Sequence, residues 1–280
     1  MDDREPLSPP PVEPPSGPMK PFLSIVIPVY NGGPLLLPNI GTVLKYMDSK
    51  PFPCELVIVE DGSTDNTLKE LATVKDERVR LLPNERNMGK GFSVKRGMLS
   101  ANGEYIVFTD ADLAYPIEQV DNLLKGLEEG NDIVIGSRVH RDSKFVLHCK
   151  DLRYIFRRHI LSRAFNLFLR LTLISGILDT QSGFKGFRKS AAEYVFSRQR
   201  ASDFSFDLEI LYLAQKSNMR IKEIPVTMEY HGGPSAVSMF GDSFSMVSRV
   251  AGVLLASLTG GYVSGAGKPA KKARKAKKKR

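Results

Sequence analysis

YIVFTDAD, residues 105–112, reads as a short buried strand running into two acids. Residues 105–109 are all β-branched or aromatic, the side chains that fit a pleated, buried surface. In a strand, side chains two apart point the same way, so Asp110 and Asp112 leave its end on one side. Two carboxylates placed like this can share a hard divalent cation, Mg²⁺ or Mn²⁺, whose other oxygen ligands come from phosphate. The same Asp-Ala-Asp also makes an ordinary turn, because Asp is common after strands. The flanking sequence decides between the two.

Upstream, residues 22–29 (FLSIVIPV) are almost continuously apolar, the mark of a strand buried on both faces. Tyr30, Asn31 and Gly32 follow as a loop, then a helix over 34–47. A second strand, 55–59, ends in Glu60, Asp61, Gly62 and Ser63. Asp65 is placed to cap a helix reaching Leu71. A third strand spans 79–82, and NMGKG at 87–91 opens a helix to Ala101. Strands alternating with helices predict an α/β fold, with a mostly parallel central sheet and helices on both faces. In such folds ligands lie at the carboxyl ends of the strands. Tyr30, Glu60–Asp61, Gly89–Gly91 and Asp110–Asp112 all fall at such ends.

That chemistry suits a nucleotide. Asp61 offers an acceptor to a base or ribose, and the glycines around Lys90 allow close backbone approach at a helix N-terminus, where an anion is favoured. A plain turn with a solvated lysine is the alternative for this loop. Neither GxxxxGK[ST] nor a GxGxxG after the first strand is present.

Downstream, a helix over 116–128 and a strand over 132–136 bring Arg138 and Arg141 to the same edge, where they meet a phosphate or only solvent. Residues 152–177 form a Leu-, Phe- and Arg-rich helical stretch without a clean stripe, suited to the core or to a membrane interface. DTQSGFKGF at 179–187 predicts a loop entering a strand. A helix over 204–213 carries Asp207 and Glu209 near its start, where they complement the helix dipole. A last strand follows at 221–226, then a helix within 241–262.

Residues 1–20 are proline-rich and read as a disordered arm, and 263–280 as a disordered basic tail. The formal charge is +9, but residues 268–280 hold nine Lys or Arg and no acid, so the body sums to zero. That distribution argues against a specific nucleic-acid surface and for peripheral contact of the tail with anionic membrane. Two cysteines, Cys54 and Cys149, show no metal or disulfide spacing. Neither a signal peptide nor a membrane span of about 18 apolar residues is visible.

SIVIPVYN (24–31), VIVEDGSTDNT (57–67), RNMGKGFSVKRGM (86–98), FTDADL (108–113) and IVIGSR (133–138) together resemble the family-2 glycosyltransferases with the GT-A fold. The resemblance covers residues 22–230. DTQSGFKGF and FDLEIL are most similar to the dolichyl-phosphate glucosyltransferase branch, with dolichyl-phosphate mannose synthases close by. The resemblance implies inverting transfer of a hexose from UDP-glucose or GDP-mannose to a polyprenyl phosphate; a lipid acceptor, the 152–177 stretch and the basic tail together predict work at the cytoplasmic face of a membrane. It implies Pro28, Tyr30 and Glu60 around base and ribose, Asp61 on the base, and Lys90 close to the nucleotide. Asp110 and Asp112 would hold the metal, and Arg138 with the basic 153–163 segment the acceptor phosphate. Two departures stand out. Ala114 occupies a position where mannose synthases often carry a metal-supporting Gln, and residues 232–236 lack the usual Ser-Lys pair. A soluble or polysaccharide acceptor, or a non-catalytic nucleotide-binding module, are the competing functions.

Overall fold

The structure, a computed structural model, describes residues 20–147, 174 and 176–230. The proline-rich arm, nearly all of the 152–177 stretch, the 232–236 loop, the C-terminal helix and the basic tail lie outside these residues.

Strands β1 (Leu23–Val29), β2 (Cys54–Glu60), β3 (Val79–Pro83) and β4 (Tyr105–Phe108) form the first half of a seven-stranded sheet. With β5 (Ile133–Ser137), β7 (Lys185–Arg188) and β8 (Ile221–Pro225) the order is β3-β2-β1-β4-β7-β5-β8. The helices are α1 (Leu36–Asp48), α2 (Thr67–Leu71), α3 (Lys90–Ser100), α4 (Val120–Glu128), α5 (Lys189–Arg198) and α6 (Phe206–Lys216). A short 3-10 turn, Gly33–Leu35, precedes α1.

Strand alternation builds two cores. Ile25, Ile27, Leu56, Ile58 and Val107 point to the face covered by α1 and α4, where Leu36, Ile40, Val43, Leu123 and Leu127 meet them. Val26, Val57, Val59, Ile106 and Phe108 point to the other face, under Val94 and Met98 of α3, Val195 and Phe196 of α5, and Phe206 and Ile210 of α6. Each such side chain, fully buried, contributes about 1.5–3 kcal/mol. This double burial is why the strands read as nearly continuous apolar runs and not as alternating ones.

The sheet is mostly parallel, as expected, with one inversion. β7 runs antiparallel to both of its neighbours, β4 and β5. Its register pairs Phe108 with Lys185. The loop leading into β7 therefore stands at the carboxyl edge of β4, beside Asp110. Strand order reverses at β1, since β2 and β3 lie on one side and β4 on the other. A crevice opens at such a reversal, outside the carboxyl ends of β1 and β4.

The sequence did not reveal α5, nor the small parallel sheet of β6 (Lys144–Leu147) and β9 (Thr227–Tyr230). Each of those strands has four residues, too few for a period to register. No helix among the described residues is long and apolar enough to cross a membrane.

Candidate active site

Four loops converge on the crevice. The loops after β1 and β2 are tied together: Ser63 Oγ accepts the Asn31 N–H at 2.9 Å, and Asn31 Oδ1 accepts the Thr64 N–H at 2.9 Å. Asn31 takes a left-handed backbone, φ 50°, a conformation Asn tolerates. Pro28 is half-buried beneath this pair, and the Tyr30 side chain stands out at 46% exposure.

Glu60 and Asp61 are buried, at 1% and 3% exposure. Glu60 Oε1 accepts the Ser63 N–H at 2.5 Å. Asp61 Oδ1 accepts from Asn84 Nδ2 at 2.7 Å and the Met88 N–H at 2.9 Å, and Oδ2 accepts the Gly89 N–H at 3.0 Å. The Asp61 carboxylate, which the resemblance places on the base, also seats the glycine loop. Gly89 has φ 94°, and a Cβ there would collide with the Ser202 carbonyl. Only glycine permits that approach, and it aims Lys90, the first residue of α3, across the crevice.

Lys90 Nζ lies 2.6 Å from Asp110 Oδ1. Burial works against its ammonium, but Asp110, Asp207 and Asp112 outweigh it and hold the Lys90 pKa above its ordinary value. Asp112 lies beside this pair and accepts the Ala114 N–H at 3.1 Å. Although Asp112 reaches the surface, local desolvation and the Asp110 charge push its carboxyl up, as expected for neighbouring like charges. Across the crevice Gly183 is packed on Asp110 so closely that a Cβ would collide with its carboxylate.

Arg138 comes to the same cluster from the end of β5. Its Nε and Nη2 donate to Asp179 Oδ2 and Oδ1, both at 2.8 Å, in a two-pronged pair. Glu223 in turn accepts the Leu178 and Asp179 N–H groups at 2.8 and 2.9 Å. Burial tends to raise Asp179, but the Arg138 guanidinium overrides it and holds the carboxyl below its usual range. A carboxylate lowered on folding adds stability fully above its unfolded value near ~3.9, and that stability is lost as pH falls through the folded value. Asp179→Asn is therefore expected to melt well below wild type at pH 7, with the gap closing below about pH 4. Melts of both proteins from pH 7 to pH 3 check this; a constant gap would assign the loss to packing.

Beneath these groups lies a pair whose role was not legible beforehand. Lys185 is wholly buried and its Nζ meets Asp207 Oδ1 and the Ser182 carbonyl, each at 2.5 Å. Burial drives the two apart from their ordinary values, Lys185 down and Asp207 up. Asp207 was assigned to helix-dipole complementation, as was Glu209. Both do sit in the first turn of α6, yet Asp207 is an internal counter-ion and Glu209 accepts the Arg200 and Ala201 N–H groups at 2.8–3.0 Å. Arg141 is surface-exposed beside Asp142.

Asp110, Asp112, Asp179 and Asp207 face Lys90, Arg138 and Lys185, one negative charge in excess. Two hard carboxylates are ligands of the kind that suits a hard divalent cation such as Mg²⁺ or Mn²⁺. Among the described residues no third His, Cys, Asp or Glu joins them, in keeping with Ala114. Thr109 and Ser137, directly before Asp110 and Arg138, have buried hydroxyls without a hydrogen-bond partner among the described residues.

The model of glycosyl transferase family 2 matches residues 24–196, from β1 through α5 and so across this crevice. The chain belongs to glycosyl transferase family 2. A dolichyl-phosphate beta-glucosyltransferase of Dictyostelium discoideum is 33% identical over 253 residues, covering 85% of this chain and 76% of that protein. The Saccharomyces cerevisiae protein of that name is 31% identical over 261 residues, covering 86% and 76%. The Homo sapiens one is 33% identical over 219 residues, covering 73% and 66%. Among solved structures, Mycobacterium tuberculosis glucosyl-3-phosphoglycerate synthase superposes with TM-score 0.54 at 19% identity, over 84% of this chain and 80% of that one. S. aureus TarS, solved with UDP-GlcNAc, gives 0.53 at 18% over 83% and 66%. These last two share the GT-A fold, and in this family-2 chain that fold puts Asp110, Asp112 and Lys90 at the strand-order reversal.

Proposed function

We propose that this family-2 glycosyltransferase moves glucose from UDP-glucose to dolichyl phosphate with inversion at the anomeric carbon. The observation that carries this is the Asp110–Asp112 pair with Lys90 at the mouth of the crevice, an arrangement suited to a sugar diphosphate. The names of the relatives favour glucose over mannose and dolichyl phosphate over a soluble acceptor.

In this reading Pro28, Tyr30, Glu60 and the Asp61-seated loop border the base and ribose, and Lys90 meets the diphosphate. Asp110 and Asp112 would hold Mg²⁺ or Mn²⁺, and a divalent cation bound there neutralises charge growing on the leaving diphosphate. An acceptor phosphate oxygen attacks the anomeric carbon from the face opposite the diphosphate. The new C–O bond forms as the bond to UDP breaks, and UDP leaves with that electron pair. The acceptor is already an anion at neutral pH, so no strong general base is required. Arg138 is a candidate to orient it: the pair with Asp179 engages Nε and Nη2, and the side chain stays 25% exposed.

Labelled UDP-glucose and GDP-mannose, each with and without dolichyl phosphate, test the reading. A β-linked, lipid-extractable glucose product formed only with UDP-glucose and dolichyl phosphate is expected. Transfer from GDP-mannose, or to a soluble acceptor alone, would replace it with one of the competing functions.

Because this acceptor is a lipid, the protein is proposed to work peripherally at the cytoplasmic face of a membrane. The nine basic residues in 268–280 favour anionic lipid, at about 1 kcal/mol each near the surface. Co-sedimentation with anionic vesicles should weaken with salt and on deletion of 268–280. Protein left in the supernatant at low salt would rule the surface role out.

A further inference from the structure

Asp110 turns Oδ1 to the crevice, and Lys90 covers it. Gly183 packs beside Oδ2, so near that an added Cβ would collide with it. Oδ1 meets Lys90 Nζ at 2.6 Å, with the two side chains 21% and 32% exposed at the crevice mouth. The ammonium is held from other directions as well. Asp207 and Asp112 act on it electrostatically, and the Phe204 ring centroid is 5.6 Å away. The fold has therefore built a place for a cation against Asp110, and the chain's own lysine fills it. Asp112 keeps a carboxylate whose hydrogen bond is to the Ala114 N–H.

We propose that Lys90 is a resident stand-in for the divalent cation, displaced from Asp110 only when the donor diphosphate arrives. The inference rests on the proposed metal-assisted use of a sugar diphosphate. Two cations compete for one carboxylate, and like charges close together in a partly buried site repel. A lysine is a compact charge on a flexible stem with three donors, able to change partners. A diphosphate carries more negative charge than the single carboxylate it would replace as the partner of Lys90. Donor binding thus frees Asp110 for the metal, and the metal strengthens donor binding by the same factor, since linkage is reciprocal. The empty enzyme takes up metal poorly because its site is already occupied.

Mn²⁺ binding to the full chain, followed by electron paramagnetic resonance with and without UDP, tests this without turnover. Wild type should bind Mn²⁺ weakly alone and more tightly with UDP. Lys90→Met should bind Mn²⁺ alone roughly fivefold or more tighter than wild type, within the usual range of coupling between two sites. UDP should then enhance Mn²⁺ binding less than it does in wild type. Lys90→Arg, which keeps the charge, should stay as weak as wild type. Lys90→Gln carries the same expectation as Lys90→Met, and melting curves identify which variants are folded. Unchanged or weaker Mn²⁺ binding by a folded, uncharged variant overturns the proposal, even where wild type binds Mn²⁺ with UDP. If wild type takes up no Mn²⁺ with UDP, the metal-assisted reading of the site fails along with it.

Discussion

Asp112→Asn is expected to lower turnover by about 10²-fold or more, the scale on which a transition-state charge stabiliser is lost, while the protein melts at or slightly above wild type. The two effects have opposite signs for one reason. Asp112 reaches the surface, yet local desolvation and the Asp110 charge beside it raise its pKa. A carboxyl raised on folding is destabilising once ionised, so at neutral pH the charge opposes folding. Asparagine keeps the shape and the acceptor that meets the Ala114 N–H at 3.1 Å and removes the repulsion. A residue that costs stability where it stands is what a functional site often shows. Steady-state kinetics and thermal melts of the same preparation check both halves. Near-wild-type turnover in Asp112→Asn, or full activity of wild type in excess chelator, would remove Asp112 and its metal from the mechanism. A large fall in melting temperature would instead make Asp112 a structural residue.

Lys185→Met should have the largest effect on stability. It leaves Asp207 buried without its partner at 2.5 Å, and breaking one side of a buried ion pair costs about 3–5 kcal/mol. For a domain of this size that is a fall in melting temperature on the order of 10 °C. Replacing both members by apolar residues of similar volume, Lys185→Met with Asp207→Leu, should recover most of the loss, since well-packed apolar pairs often match buried ionic ones. Activity should not recover with it. Lys185 also donates to the Ser182 carbonyl, next to the glycine that seats Asp110, and Asp207 contributes to the field on Lys90. Differential scanning calorimetry of the single and double variants, beside their turnover, separates the two roles. A single variant melting within about 2 °C of wild type would mean the pair is not held as a buried ion pair.

The parallel half of the fold was legible because its signals are local. β1, β2 and β4 are nearly continuous apolar runs, since each is covered on both faces. Each run ends in the polar residues that later line the crevice. A strand's carboxyl end is readable from sequence, and that reading puts Tyr30, Glu60, Asp61, Lys90, Asp110 and Asp112 at one sheet edge. α5 was missed although it is a full helix: KSAAEYVFSR mixes charged and small residues, and its burial comes from α3, α6 and the sheet, which a local window does not contain.

Sequence alone determined the strand–helix alternation, the acidic pair after β4 and the glycine loop before α3, because propensity, two-residue periodicity and turn chemistry act between near neighbours. Tertiary structure alone decided who partners whom. The antiparallel entry of β7 brings Lys185 opposite Phe108, and with it Gly183 onto Asp110 and Lys185 onto Asp207, 22 residues away. Asp61 holds the 88–89 backbone, and Arg138 meets Asp179, 41 residues on. A charge's partner and its pKa depend on distance and burial in the folded chain, and neither quantity is written along the sequence.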